Sequence, residues 1–188
     1  MNFCSECGQP VSVEVPAGDN RPRHVCHACE TIHYSNPNIV AGCLPVYQEE
    51  YILLCKRAIE PRIGYWTLPA GFMENNESVE QAALRETFEE ACASVTIRKL
   101  YTLTSIVHVN QVQMLYLAEL TSPEYAASEE SLEVELFHIN EIPWDQLAFQ
   151  TIHNALRFYI EDKKNGKFPL HTVLLDTAPG EYIPEANA

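Results

Sequence analysis

Residues 71–93 read GFMENNESVEQAALRETFEEACA, and the fold and chemistry of the 188-residue chain are read outward from that stretch. Ser78 stands where a helix N-cap belongs, with Gln81 three positions on, the spacing of a capping box. The helix formers behind it carry a predicted helix to about Cys92. At about 100° per residue, Glu86, Glu89 and Glu90 fall on one face within an arc of roughly 100°. Like charges four apart repel by a few tenths of a kcal/mol, so Glu86 opposite Glu90 weakens the isolated helix. A divalent cation reverses the sign of that interaction. The competing reading is a solvated acidic helix face, the commoner fate of a charge run.

Spacing favours the metal. A glycine, Gly71, is followed by Glu77 and then by the run Arg85-Glu86-Thr87-Phe88-Glu89-Glu90. This resembles the Nudix box, the signature of hydrolases that cleave a nucleoside diphosphate linked to another moiety. The resemblance implies that Glu86, Glu89 and Glu90 hold Mg2+ or Mn2+ and take part in catalysis. It also implies that the backbone carbonyl of Ala70, just ahead of the box glycine, joins the metal shell. Arg85 reads as an organiser that forks to Glu89 at i+4 or to Glu77; the plainer reading is a surface ion pair worth only tenths of a kcal/mol. One position departs from the pattern: Cys92 stands where the family usually has glycine, which points to a different helix exit.

Twenty-six acidic residues against twelve Lys and Arg give a net charge of −14, which opposes binding to a phosphate backbone. The expected partner is therefore a small nucleotide held by a metal, with no nucleic acid. The first residues, MNFCSECGQP, carry no apolar targeting segment, and no later run is long enough to span a bilayer. A cytoplasmic location without a membrane partner is the expectation.

Cys4, Cys7, Cys26 and Cys29 form two CxxC pairs, whereas Cys43, Cys55 and Cys92 stand alone and read as small core residues. Two such pairs bring four thiolates around one structural zinc. Disulfides and a redox dithiol are the competing readings, the first disfavoured in a reducing compartment and the second needing only one pair. His24, His27 and His33 lie close by, but the four cysteines complete the shell without them. Residues 1–34 are thus a zinc ribbon held together by its ion. A ribbon directly ahead of a Nudix domain resembles the subgroup that includes the NADH pyrophosphatases and the plant FAD pyrophosphatases.

NIVAGCLPVY and YILLCKR, joined by QEE, read as two antiparallel strands, and WTL as a short strand leading into the box. Tyr65 and Trp66 precede that turn and are candidates to stack on a base, against the alternative of core packing. Residues 94–103 and 112–120 read as strands, with IVHVN a further strand or a loop between them. VELFHINEIPWDQLAF gives a strand, a turn and a short helix begun near Glu141, and residues 152–164 carry a helical stripe. Residues 35–165 are taken as the hydrolase domain and residues 166–188 as an extended C-terminal arm. The resemblance implies an α/β fold, the Nudix α/β/α sandwich with a mixed sheet, and a homodimer. It also implies that a glutamate just before ELFHI, by position Glu133 with Glu130 and Glu135 as competitors, completes the metal shell or helps activate water.

Beyond the box, NPNIVAGCL, LLCKRAIEP, YWTLPAGFMENNES, SLEVELFHINEIPWDQLAF and YIEDKKNGK resemble the plant-type FAD and ADP-ribose pyrophosphatases. The NADH pyrophosphatases carry an SQPWPFP-like signature where this chain has SIVHVNQVQM. Hydrolysis of FAD to FMN and AMP is the expected reaction, with ADP-ribose and then NADH as alternatives. A member of the same fold that senses nucleotide without cleaving it is the competing class.

Overall fold

Pro37 is where the chain's internal contacts divide: Met1–Pro37 form one unit, and a second begins at Asn38. The computed structural model describes residues 1–176. In the first unit three short antiparallel strands, β1 (Ser12–Glu14), β2 (Arg23–Val25) and β3 (Ile32–His33), lie in the order β1-β2-β3. Its buried apolar residues are Cys4, Val25 and Cys26. That is too little apolar surface to hold a fold of this length by burial alone.

The second unit is a sheet between two helices. Its strands are β4 (Asn38–Tyr47), β5 (Tyr51–Arg57), β6 (Trp66–Thr67), β7 (Ala70–Phe72), β8 (Val95–Ile106), β9 (Gln111–Leu120), β10 (Ser131–His138) and β11 (His171–Leu175). The helices are α1 (Val79–Ala91) and α2 (Gln150–Asn165). The sheet runs β10-β5-β4-β9-β8-β11, with β6 paired to β5 and β7 to β4. It is mixed: β4 runs parallel to β9 and β11 parallel to β8, while the other pairs are antiparallel.

The continuous apolar run of β4 follows from its central place, covered on both faces. Leu44 and Val46 face α2 and pack with Ile152, Ala155, Leu156 and Tyr159. Ala41 and Cys43 face α1 and meet Ala82 and Ala83. Alanines on both sides of that contact let α1 approach the sheet closely, which sets the depth of everything α1 carries. Gly42 has a related role, because a Cβ there would collide with Ala70 and the Pro69 carbonyl. Only glycine lets β7 cross so near β4.

Several expectations shift on inspection. The turn IVHVN extends β8 to Ile106 and then closes as a 3-10 turn over Val107–Val109. The helix expected from Glu141 is only a 3-10 turn, Trp144–Gln146. Pro143 disfavours helical backbone at Ile142 and delays the start. Glu133 lies inside β10 rather than ahead of it. Cys43 and Cys55 are buried as expected, but Cys92 is exposed, because the helix ends on it. Of the arm expected over residues 166–188, Gly166 caps α2 and β11 joins the sheet edge; residues 177–188 lie outside the described residues. No helix among the described residues is long and apolar enough to cross a membrane.

Candidate active site

The site is assembled by β7, α1 and the turn between them. Ser78 caps α1: its hydroxyl accepts from the Gln81 N–H, and the Gln81 side chain accepts from the Ser78 N–H at 2.7 Å. One residue earlier, Glu77 accepts from the Glu74 N–H at 2.6 Å, so its carboxylate is already fixed when it meets Arg85. Arg85 gives Nε and Nη2 to the two oxygens of Glu77, at 3.0 and 2.8 Å. Its Nη1 donates to Glu86 at 2.7 Å and to Glu89 at 2.9 Å, and Nη2 also donates to the Phe72 carbonyl at 3.1 Å. Both partners expected for Arg85 are therefore used together, with Glu86 added. One guanidinium ties the helix to β7 and orients three carboxylates.

Glu86 and Glu90 are one turn apart on α1 and are 8% and 7% exposed, whereas Glu89 is exposed. Burial pushes the Glu90 carboxyl up to about 8; the Ala70 N–H and Arg57 pull against that, and Glu86 and Glu130 add to it. Burial also raises Glu86, opposed by Arg85. Glu77 is held down at about 2, chiefly by Arg85. Gly71 makes room for this arrangement, since a Cβ there would run into the Glu86 carboxylate.

Two adjoining buried carboxylates, the inner one held among the described residues by a 3.4 Å hydrogen bond from the Ala70 N–H, form an incomplete set of hard oxygen donors. That is the ligand chemistry of Mg2+ and Mn2+. The helix residues fit a divalent cation, and the metal would convert their repulsion into coordination.

Other residues singled out by sequence are distributed differently. Ala70 stands beside Glu90 through its own N–H. Glu133 is not brought into the arginine-centred cluster: its carboxylate takes Lys56 Nζ at 2.9 Å, and that ammonium lies over the Trp66 ring. Period-two alternation places Val134, not Glu133, on the α1 side with Ala91 and Cys55. Glu130, on the preceding turn, is the acid whose charge reaches both Glu86 and Glu90. Trp66 is 5% exposed in the α2-side core, edge-on to Phe137 at 4.8 Å, so it has no free face for a base. Tyr65 is half-buried, with Arg62 over its ring. Sequence reading passed over Phe72, an exposed aromatic whose carbonyl is bound by Arg85. An aromatic next to the box glycine was the available signal.

In the first unit Cys4, Cys7, Cys26 and Cys29 place their sulfurs within 4.8 Å of one another. Cys4 and Cys29 are 3.6 Å apart and Cys7 and Cys26 3.5 Å, too far for disulfides. Tetrahedral zinc with Zn–S bonds of ~2.3 Å needs sulfurs ~3.8 Å apart, so the set fits a closed structural site. His27 is turned to Ser12, while His33 Nε2 lies 3.3 Å from the Cys4 sulfur.

Residues 2–35 match the family model described as Nudix N-terminal, a zinc ribbon, and residues 36–157 match the NUDIX domain. An NAD-capped RNA hydrolase NudC of Edwardsiella ictaluri is 28% identical over 75% of this chain and 53% of its own length. An ADP-ribose pyrophosphatase of Methanocaldococcus jannaschii is 31% identical over 62% of this chain and 69% of its own. The chain spans about half the length of the NudC relatives it matches. A crystal structure of a NUDIX hydrolase from Nitrosomonas europaea superposes with a TM-score of 0.91 at 48% identity, covering 94% of this chain and all of that one. An arginine-centred carboxylate helix, four convergent thiols and two matched family models lead to one conclusion: the chain belongs to the Nudix family, with a zinc ribbon ahead of its NUDIX domain.

Proposed function

We propose that the chain hydrolyses the diphosphate bond of an adenosine-containing nucleotide, with FAD, giving FMN and AMP, as the favoured substrate. The observation that carries the reading is the buried pair Glu86 and Glu90 on one face of α1, the first oriented by Arg85 and the second by the Ala70 N–H. A divalent metal bound there neutralises phosphate oxygens and lowers the pKa of a bound water. The chain's own part is to hold and deprotonate. Glu86 and Glu90 supply the oxygen donors, and Arg85 keeps Glu77, Glu86 and Glu89 in one arrangement. Water adds to phosphorus as the bridging P–O bond breaks, and its proton passes to a carboxylate of the cluster. Glu130 is proposed as the carboxylate outside the helix in place of Glu133, supported by the reach of its charge to Glu86 and Glu90 and by the engagement of Glu133 with Lys56.

FAD, ADP-ribose and NADH share an adenosine diphosphate half, so the box reads the bond and the surrounding loops choose among them. The segments outside the box that resemble FAD pyrophosphatases support FAD. The ADP-ribose pyrophosphatase of M. jannaschii supports ADP-ribose as the second substrate. A net charge of −14 argues for free nucleotides over capped RNA. The test is product analysis with FAD, ADP-ribose, NADH and NAD-capped RNA side by side in Mg2+ or Mn2+. FMN and AMP from FAD at the highest kcat/KM is the expected result. Preferential turnover of NADH or capped RNA overturns the substrate assignment, and tight nucleotide binding with no turnover identifies a sensor.

A further inference from the structure

Strand β9 breaks its own pattern at Gln113. Leu115 and Leu117 belong to the apolar cluster under α2, and period-two alternation puts residue 113 on that same face, where an aliphatic side chain would continue the row. Gln113 stands there instead and is 7% exposed. Among the described residues its Oε1 has no hydrogen-bond partner, and neither has Oγ1 of the buried Thr102. A buried amide that served the fold would hydrogen-bond a neighbouring backbone group or side chain, because leaving it unpaired costs stability.

Strand register says where these atoms lie. Thr104, Gln113, Val40 and Phe72 are successive partners across β8, β9, β4 and β7, so their side chains share one face of the sheet. Thr102, Leu115, Gly42 and Ala70 form the neighbouring row on that face. It is the face opposite α1, which packs on Ala41 and Cys43. Thr104 is buried at one end of the Gln113 row, whereas Phe72 is exposed at the other. That open end is the candidate active site: Arg85 holds the Phe72 carbonyl, and the Ala70 N–H reaches Glu90. From β7 to β9 is two strand spacings, about 10 Å, which is the reach from the phosphates of a nucleotide to its ring.

We infer that Gln113, with Thr102 diagonal to it, recognises the substrate's ring through an edge that presents an N–H to Gln113 Oε1. The inference rests on the reading of α1 as a nucleotide diphosphate site. Adenine offers such an edge with its amino group and a flavin with its imide, each beside an acceptor that the Gln113 amide N–H can meet, so two parallel hydrogen bonds form. Sealed polar groups discriminate strongly, since a ligand without the N–H leaves them as unpaired as before. The break in the apolar row of β9 is then a stability cost tied to specificity.

The experiment is equilibrium binding of AMP, FMN and ribose 5-phosphate to the full chain in Mg2+, for the native protein and Gln113→Leu, with melting temperatures taken in the absence of nucleotide. Gln113→Leu is expected to weaken AMP or FMN by about tenfold, the worth of a lost pair of ring contacts, and to leave ribose 5-phosphate unchanged. Loss of AMP affinity identifies the ring as adenine, and loss of FMN affinity identifies it as the flavin. The melting temperature should rise, because an unpaired amide gives way to an apolar group on an apolar face. Native affinity for both AMP and FMN overturns the inference. An equal loss for ribose 5-phosphate overturns it too, as does a melting temperature that falls. If Gln113→Leu does not fold, Gln113→Met, unbranched at Cβ and Cγ like glutamine, is read in the same way. Turnover of FAD and ADP-ribose by the native chain separates the two readings. Native hydrolysis with Gln113-independent binding removes the ring contact alone, and Gln113-dependent binding without hydrolysis removes the proposed reaction alone.

Discussion

Glu90 carries the largest conflict of any side chain in the site. It is nearly sealed from water, its neighbour one turn back is another acid, and its carboxyl sits near 8 against an ordinary 4.5. The folded state therefore keeps a proton that the unfolded state has already released between those values. With more protons bound in the folded form, stability falls as pH rises through that window. The metal-free protein should lose melting temperature from pH 5 to pH 8, and Mg2+ or Mn2+ should restore more of it at pH 8 than at pH 5. Glu90→Gln separates the roles of this residue. It should flatten the pH profile of the metal-free protein and raise its melting temperature at pH 8, while hydrolysis falls by at least about a hundredfold, as for loss of one strong electrostatic contact in the transition state. Calorimetry across pH and a rate assay on one preparation check both; a melting temperature lowered at pH 8 would contradict the burial argument.

The start and the body of helix α1 were legible because their signals are local: a capping box, a run of helix formers and an acidic face at helical spacing. Its exit was read less well. Cys92 adopts the left-handed conformation with φ of 50°, and its N–H donates to the Phe88 carbonyl at 2.8 Å. The exit is thus the one a glycine would make, occupied by a residue with a Cβ. Left-handed backbone costs a non-glycine residue about 1–2 kcal/mol, and Cys92 is exposed, so no packing offsets that cost. Cys92→Gly should stabilise the protein by up to about 1 kcal/mol, the rest being lost to the freedom glycine gains in the unfolded chain. Chemical denaturation with an unchanged slope would check it, and a lower midpoint would refute it. The roles of Trp66 and Glu133 were hidden for a different reason. Each depends on which sheet face a strand presents and on what crosses it, and period-two alternation leaves that choice open until β6 and β10 are registered against β5. Pairing of Ser131 with Arg57 and of Glu133 with Lys56 is long-range information, absent from any window of sequence.

At the scale of the whole molecule, two units rest on different sources of stability. The unit from Asn38 onward has clusters of buried aliphatic and aromatic side chains on both faces of its sheet. Met1–Pro37 buries two cysteines and a valine, and its strands are two or three residues long. Hairpins of that size are not stable alone in water. What closes the unit is the set of four thiols at tetrahedral spacing, so the free energy of zinc binding is its folding free energy. The cysteine spacing announced this in sequence, because four ligands in two CxxC pairs specify a metal without any core. A strong chelator should therefore collapse amide-exchange protection over residues 1–37 while leaving that of β4, β5, β8 and β9 intact. Replacing Cys26 with Ser should do the same without chelator. The measurement is exchange mass spectrometry on the full chain before and after zinc removal. Persistent protection of β1 and β2 in the zinc-free protein would show that something other than the ion holds them. Uniform loss across the sheet would show that the second unit's core does not stand on its own.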